Sequence, residues 1–174
     1  MAKQAGRGVL SRSDDGMMTV VLEINGKERS MRVDPGDSLL DALRREGFKG
    51  AKRGCETGDC GSCTVLIGGK PVLSCIIFAA QAHGRKVTTI EGLGTPAKPH
   101  PIQEAFVEAG AVQCGYCIPG MVLAAKSLLD ENPDPDEGDV RHALDGNLCR
   151  CTGYVKQVEG VLLAAKKLRA HRKG

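Results

Sequence analysis

One loop constrains this chain more than any other feature: Arg53-Gly-Cys-Glu-Thr-Gly-Asp-Cys-Gly-Ser-Cys-Thr64, closed later by Cys75. Cys55, Cys60 and Cys63 stand in the spacing C-x4-C-x2-C with Cys75 beyond them, the plant-type pattern of thiolates that holds a [2Fe–2S] cluster. Such a cluster needs four thiolates converging from one side, and a short loop can supply three. Gly54, Gly58 and Gly61 are expected to take positive φ, which lets a backbone wrap an inorganic core. The wrapped amides then turn inward as N–H donors toward sulfur.

The chain has 174 residues and eight cysteines. In a secreted protein that number suggests disulfides. Here the N-terminus, Met1-Ala-Lys-Gln-Ala-Gly-Arg7, carries no apolar signal core and no twin arginine. No apolar run reaches membrane-spanning length. A reducing cytoplasm with cysteines as metal ligands is therefore expected. A net charge of +3 is too small to argue for nucleic acid, and 3% aromatic residues with no Trp leave little for stacking on bases. A core of Val, Ile, Leu and Ala is modest, and bound metal helps to stabilise small domains.

Residues 1–16 are a polar extension, equally readable as a segment packing locally or as a partner-binding arm. Residues 17–91 read as a small mixed sheet crossed by a helix. Thr19–Ile24 and Glu28–Val33 flank an Asn25-Gly26 hairpin turn. Asp37 or Ser38 caps a helix through Arg45, with Leu39, Leu40 and Leu43 inward and Gly47 as its stop. Thr64–Ile67 and Lys70–Leu73 form a second hairpin about Gly68-Gly69. Ser74 is expected to cap a helix starting at Cys75, and Lys86–Ile90 to be a last strand.

Residues 92–99 form a linker rich in Gly and Pro, and residues 100–174 read as four helices. The first begins at His100-Pro101 and presents Ile102, Ala105, Phe106 and Ala109. The second runs from Pro119 to Leu129 with one inward stripe of Met121, Val122, Ala125, Leu128 and Leu129. Asp139–Asp145 is the third. Val155, Val158, Leu162, Ala165 and Leu168 line the fourth.

This helical half carries the other four cysteines, in Gln113-Cys-Gly-Tyr-Cys-Ile-Pro-Gly120 and Asn147-Leu-Cys-Arg-Cys-Thr-Gly-Tyr154. Cys114 and Cys117 precede a helix whose positive end faces their thiolates. Cys149 and Cys151 are two apart, so an extended backbone puts both sulfurs on one side. Spacing alone leaves a structural zinc open, since C-x2-C is a half-site for that ion. The first cluster favours a second redox centre beside it. Gln113, with two donors and one acceptor before Cys114, either satisfies loop backbone or reaches outward.

Taken together, the motifs Cys55…Cys63…Cys75 and Gln113…Gly120…Cys149-Arg-Cys-Thr-Gly-Tyr154 resemble the small iron–sulfur subunit of the molybdenum hydroxylases. That is the xanthine dehydrogenase family, which includes aldehyde, carbon monoxide, nicotinate and aromatic acyl-CoA oxidoreductases. The resemblance covers residues 18–170. It implies an α+β chain: a β-grasp plant-type ferredoxin domain, then a four-helix bundle, each holding one [2Fe–2S] cluster. It places the Cys114, Cys117, Cys149 and Cys151 cluster beside a pterin, with Gln113 bonded to that pterin and Cys151 the ligand nearest it. The Cys55, Cys60, Cys63 and Cys75 cluster faces a flavin. Ile118, where many members have Thr, and the variable stretch Lys156-Gln157 are its departures.

The resemblance also implies partners. These are a large molybdopterin subunit and a medium FAD-binding subunit, joined as a dimer of heterotrimers, with no nucleic acid and no membrane span. The expected role is electron transfer inside an oxidoreductase whose substrate site lies on another chain and takes an aromatic N-heterocycle such as a purine. An aldehyde, carbon monoxide or acyl-CoA substrate is the alternative. A free-standing ferredoxin and a zinc-binding interaction module are the readings from other classes. Lys52, Arg53 and Arg150 flank ligands and are expected to favour the reduced state. No dinucleotide fingerprint, P-loop or Ser/His/Asp set is present. His83, His100, His142 and His171 are scattered and read as surface or capping residues.

Overall fold

The computed structural model describes residues 10–172. Its first element falls within the polar extension. Ser11–Arg12 (β1) pairs antiparallel with the start of Met18–Ile24 (β2), so the end of the extension is an edge strand. The turn between them is held by the Ser13 amide, which donates to the Met17 carbonyl at 2.9 Å. The reading of the extension as a partner-binding arm falls largely on residues 1–9, outside the described residues.

Asn25 and Gly26 both hold positive φ, 52° and 78°, the turn whose twist suits a tight hairpin. β2 accordingly pairs in full register with Lys27–Val33 (β3), from Ile24↔Lys27 to Met18↔Val33. Ser38 accepts the Asp41 amide at 3.1 Å and caps Leu39–Arg45 (α1), and Gly47 stops the chain after it at φ 91°. Thr64–Ile67 (β4) and Lys70–Leu73 (β5) form the second hairpin. Lys86–Thr88 (β6) joins β2 in parallel and β4 antiparallel, which makes the sheet mixed. Val20, Leu22 and Ile24 on alternate positions of β2 bury one face against Leu39, Leu40 and Leu43 of α1.

The helix expected from Cys75 does not form. Ser74 is fully buried, and its hydroxyl donates to the Cys63 carbonyl at 2.7 Å instead of capping. Its own carbonyl accepts the Leu40 amide, while Ile77 and Ala79 bond to Leu39 and Asp37. Pairing alongside residues 37–39 keeps 75–78 non-helical and delays the single helical turn to Ala79–Ala82.

The second half contains Pro101–Glu108 (α2), Ile118–Glu131 (α3), Glu137–Leu144 (α4) and Val155–Arg172 (α5). His100 caps α2: its Nδ1 accepts the Ile102 amide at 3.2 Å, and burial pushes the imidazole pKa down. His83 does similar work by accepting the Val21 amide at 3.1 Å. Phe106, Met121, Val140 and Val161 are central to a second core that draws on all four helices.

Along α5 only Val155 leaves the expected stripe, being 53% exposed; Val158 and Ala165 are buried, Leu162 and Leu168 pack on the second core, and Gln157, Val161 and Ala164 are buried beside them. Gly160 permits this, because a Cβ there would stand 3.2 Å from Phe106 Cδ2 on α2. α3 is also buried more broadly than one stripe, with Met121 to Ala125 covered without interruption. Its further face lies against β4.

Leu66 and Leu123 are 3% and 1% exposed yet belong to neither core. The contact between α3 and β4 covers them, and full burial of each contributes about 1.5–3 kcal/mol. Ser127 adds a hydrogen bond to the Gly69 carbonyl at 2.9 Å. The chain entering the stretch read as a linker is fastened too. Ile90 and Leu93 pack on the second core, and Glu91 accepts the Gly50 amide at 2.7 Å. No helix among the described residues is long and apolar enough to cross a membrane.

Candidate functional site

The first cysteine loop owes its shape to three kinds of backbone position. Gly58 and Gly61 take positive φ, 88° and 69°, as expected. Gly54 does not. Its role is space, since a Cβ there would sit 2.7 Å from Cys60 Sγ. Glu56 supplies the remaining left-handed residue at φ 60°.

The result is a set of amides aimed at sulfur. Thr57, Asp59 and Cys60 donate to Cys55 Sγ at 3.5, 3.3 and 3.4 Å, and Cys55 donates to Cys60 Sγ at 3.4 Å. Hydrogen bonds from the Thr57 hydroxyl and from these amides hold the Cys55 thiol down at about 6. Cys63 is buried and Cys75 half-buried beside it. Burial, with Cys63 adjacent, pushes the Cys75 thiol up to about 11. Arg53 was expected to lend positive charge here. Its guanidinium instead bonds Glu56 at 2.9 Å and Asp41, so that charge is offset locally.

The second set repeats the pattern on a helical scaffold. Cys117 is the residue preceding α3, and the Met121 amide bonds to its carbonyl. Cys114 Sγ and Cys151 Sγ lie 3.4 Å apart, and both residues are exposed. Cys117 is buried beside half-buried Cys149, and burial pushes the Cys117 thiol up to about 12. Burial acts the same way on Cys149, but the amides of Cys151 and Thr152, with the Thr152 and Cys117 side chains beside them, outweigh it and hold that thiol at about 7. Gln113 is exposed immediately before Cys114.

The cysteines therefore meet in pairs: Cys63 with Cys75, Cys114 with Cys151 and Cys117 with Cys149 through their sulfurs, and Cys55 with Cys60 through amides that each donates to the other's sulfur. Among the described residues no three His, Cys, Asp or Glu side chains gather as a single-ion ligand set. Two sulfurs at each of two positions suit a two-iron core, whereas tetrahedral zinc needs four at one. The donor sets and the inward amides fit [2Fe–2S] clusters.

The two sets are joined directly. The Leu148 amide donates to the Cys60 carbonyl at 2.9 Å, and the Tyr116 hydroxyl donates to the Arg53 carbonyl. A Cβ on Gly61 would stand 2.2 Å from the Gly146 carbonyl, and one on Gly120 would stand 2.4 Å from the Gly61 carbonyl. Backbone thus meets backbone between the two loops, which only glycine allows.

Sequence reasoning missed three residues here. Tyr154 holds φ 73°, strained for a bulky side chain, and its hydroxyl accepts the Cys149 amide at 3.1 Å. Thr152 and the fully buried Gln157 bond to each other at 2.7 Å beneath Cys149. Gln157 had a visible signal: it stands one turn before Val161, a polar residue on the apolar face of a helix.

Residues 89–162 match the family described as a [2Fe-2S] binding domain, and residues 22–86 match the 2Fe-2S iron-sulfur cluster binding domain. The nicotinate dehydrogenase small FeS subunit of Eubacterium barkeri is 48% identical over 151 residues, 86% of this chain and 96% of that protein. The aldehyde oxidoreductase of Megalodesulfovibrio gigas is 45% identical over 153 residues, 86% of this chain but 17% of that protein. Among solved structures, quinoline 2-oxidoreductase from Pseudomonas putida 86 is similar with a TM-score of 0.85 and 44% identity. That likeness covers 89% of this chain and 98% of the other.

Proposed function

This chain belongs to the small iron–sulfur subunits of the molybdenum hydroxylases, the xanthine dehydrogenase family, and from that premise we propose the rest of its role. Cys55, Cys60, Cys63 and Cys75 hold the first [2Fe–2S] cluster, and Cys114, Cys117, Cys149 and Cys151 hold the second. The observation that carries this assignment is the pairing of the cysteines, two by two, on each side of the Leu148–Cys60 hydrogen bond.

Each cluster, when bound, accepts and returns one electron at a time. The chain's own residues fix where that happens. Amides of the first loop direct positive ends at Cys55 and Cys60, and burial keeps water from Cys63 and Cys117. The Leu148 and Tyr116 hydrogen bonds lock the two sulfur groups at one separation.

We place a large molybdopterin subunit against the second set and a medium FAD subunit toward the first, in a dimer of heterotrimers. Exposed Val112, Tyr116, Leu148, Tyr154 and Val155 flank the second cysteine set. They support docking of a chain that covers apolar surface there. Cysteines used as ligands support a cytoplasmic location.

The substrate class we assign to the complex is an aromatic N-heterocycle, with a purine as one instance. The names of the nicotinate and quinoline relatives support that class. Mixing the assembled enzyme anaerobically with nicotinate, xanthine or an aliphatic aldehyde tests it. Bleaching of the clusters by a heterocycle is expected, and bleaching by the aldehyde alone would contradict the assignment.

Gln113, by the same reading, anchors the pterin of the large subunit. Gln113→Ala should leave both clusters assembled and slow their reduction by substrate. Loss of one partner of a buried hydrogen bond costs about 1–3 kcal/mol. That corresponds to roughly five- to 150-fold in rate if all of it falls on the transition state. Stopped-flow reduction of the complex reads this directly. An unchanged rate would return Gln113 to a role within its own loop.

A further inference from the structure

Gln157 is the only polar side chain of α5 among the described residues that is wholly buried, and it lies under the second cysteine set. Its neighbours use the whole amide. Nε2 reaches the Ala111 carbonyl at 3.3 Å and Cys149 Sγ at 3.5 Å, while Oε1 accepts the Thr152 hydroxyl at 2.7 Å. The Ala111 carbonyl can only accept, so it decides which end of the amide carries the donors. One N–H then goes to Ala111 and the other is aimed at the sulfur. Thr152 holds the oxygen in place, with its own hydroxyl 3.3 Å from Cys149 Sγ. Both donors and the acceptor have partners, so the orientation is fixed before any ligand binds.

We propose that Gln157 is a positioning residue for the second [2Fe–2S] cluster, its buried amide N–H donating to the Cys149 thiolate and stabilising the reduced form. The inference rests on the ligand assignment above. A reduced cluster carries one more negative charge, so a donor at a ligand sulfur strengthens on reduction and raises the potential. The amide acts in a water-free position, where such a bond is not shared with solvent. The nearby Arg150 side chain is exposed and has no such shelter.

The experiment is a redox titration of the assembled enzyme followed by electron paramagnetic resonance, which reads each cluster separately. Gln157→Met keeps length and volume without an N–H donor, and Gln157→Glu keeps the acceptor for Thr152 while removing the amide. In the methionine variant the second cluster's reduction equilibrium should weaken roughly tenfold, a fall of about 59 mV for one electron. In the glutamate variant the fall should be at least as large. The first cluster should titrate as in wild type in both.

An unchanged second-cluster midpoint in either variant would overturn the proposal, and so would an equal shift of both clusters. Loss of the second cluster from both variants would also overturn it, making Gln157 a scaffold residue that ties α5 to Ala111. If wild-type enzyme lacked two cluster signals, the ligand assignment itself would have failed instead.

Discussion

Alanine at Cys151 will remove the second cluster and leave the first intact. Cys151 is exposed, and its sulfur meets Cys114 at 3.4 Å on the side where both residues are open. Removing one thiolate leaves one iron position with a single protein sulfur, and a four-thiolate site does not hold on three. The first set shares none of those sulfurs. It is organised by its own amides, by Gly58 and Gly61, and by Ser74 bonded to the Cys63 carbonyl. The contact between the loops runs through Leu148 and Cys60, on the Cys149 side. Cys151→Ala should therefore halve the iron of the chain and abolish one paramagnetic signal. Equal loss of both signals would mean that the two sites assemble as one unit.

A second large effect is expected at Gly120, in the first turn of α3. Its missing side chain is what lets α3 lie on the first loop. A Cβ would come within 2.4 Å of the Gly61 carbonyl oxygen and 2.8 Å of Asn147 Oδ1. The first of these is backbone held by a left-handed glycine and cannot swing aside. Gly120→Ala must push the helix off the loop, uncovering Leu66 and Leu123 and stretching the Leu148–Cys60 hydrogen bond. Overpacking of this kind costs about 1–3 kcal/mol. For a chain of this length that is a fall of roughly 2–12 °C in Tm. Thermal unfolding measures it, and wild-type Tm with wild-type electron transfer between the clusters would contradict the account of the junction.

Much of this was legible in the residues, for local reasons. Asn25-Gly26, Gly68-Gly69 and Ser38 act within a few positions of themselves, so their hairpins and cap came through with bounds correct to within one residue. The two cysteine patterns are likewise local, apart from the return to Cys75 and to Cys149.

What failed was whatever depended on partners outside its own element. Ser74 looked free to cap a helix because nothing in sequence shows the Cys63 carbonyl that claims its hydroxyl. Arg53 looked like an uncompensated charge because Asp41 is 12 residues away in sequence, in α1. The run Met121-Val-Leu-Ala-Ala125 did carry a warning. A helix apolar all round is covered all round, and a second surface should have been sought for α3. Gln157 carried another, since a glutamine on an apolar face must satisfy three hydrogen-bonding groups somewhere.

The central claim is that this chain carries electrons through two [2Fe–2S] clusters, each held by four of its eight cysteines. Iron and acid-labile sulfide analysis of the purified chain, with electron paramagnetic resonance after reduction, tests it most directly. The account predicts equal iron and sulfide, enough for two clusters per chain, and two distinct signals that integrate equally. Zinc in the helical half with a single signal, or iron and sulfide for one cluster only, would contradict it.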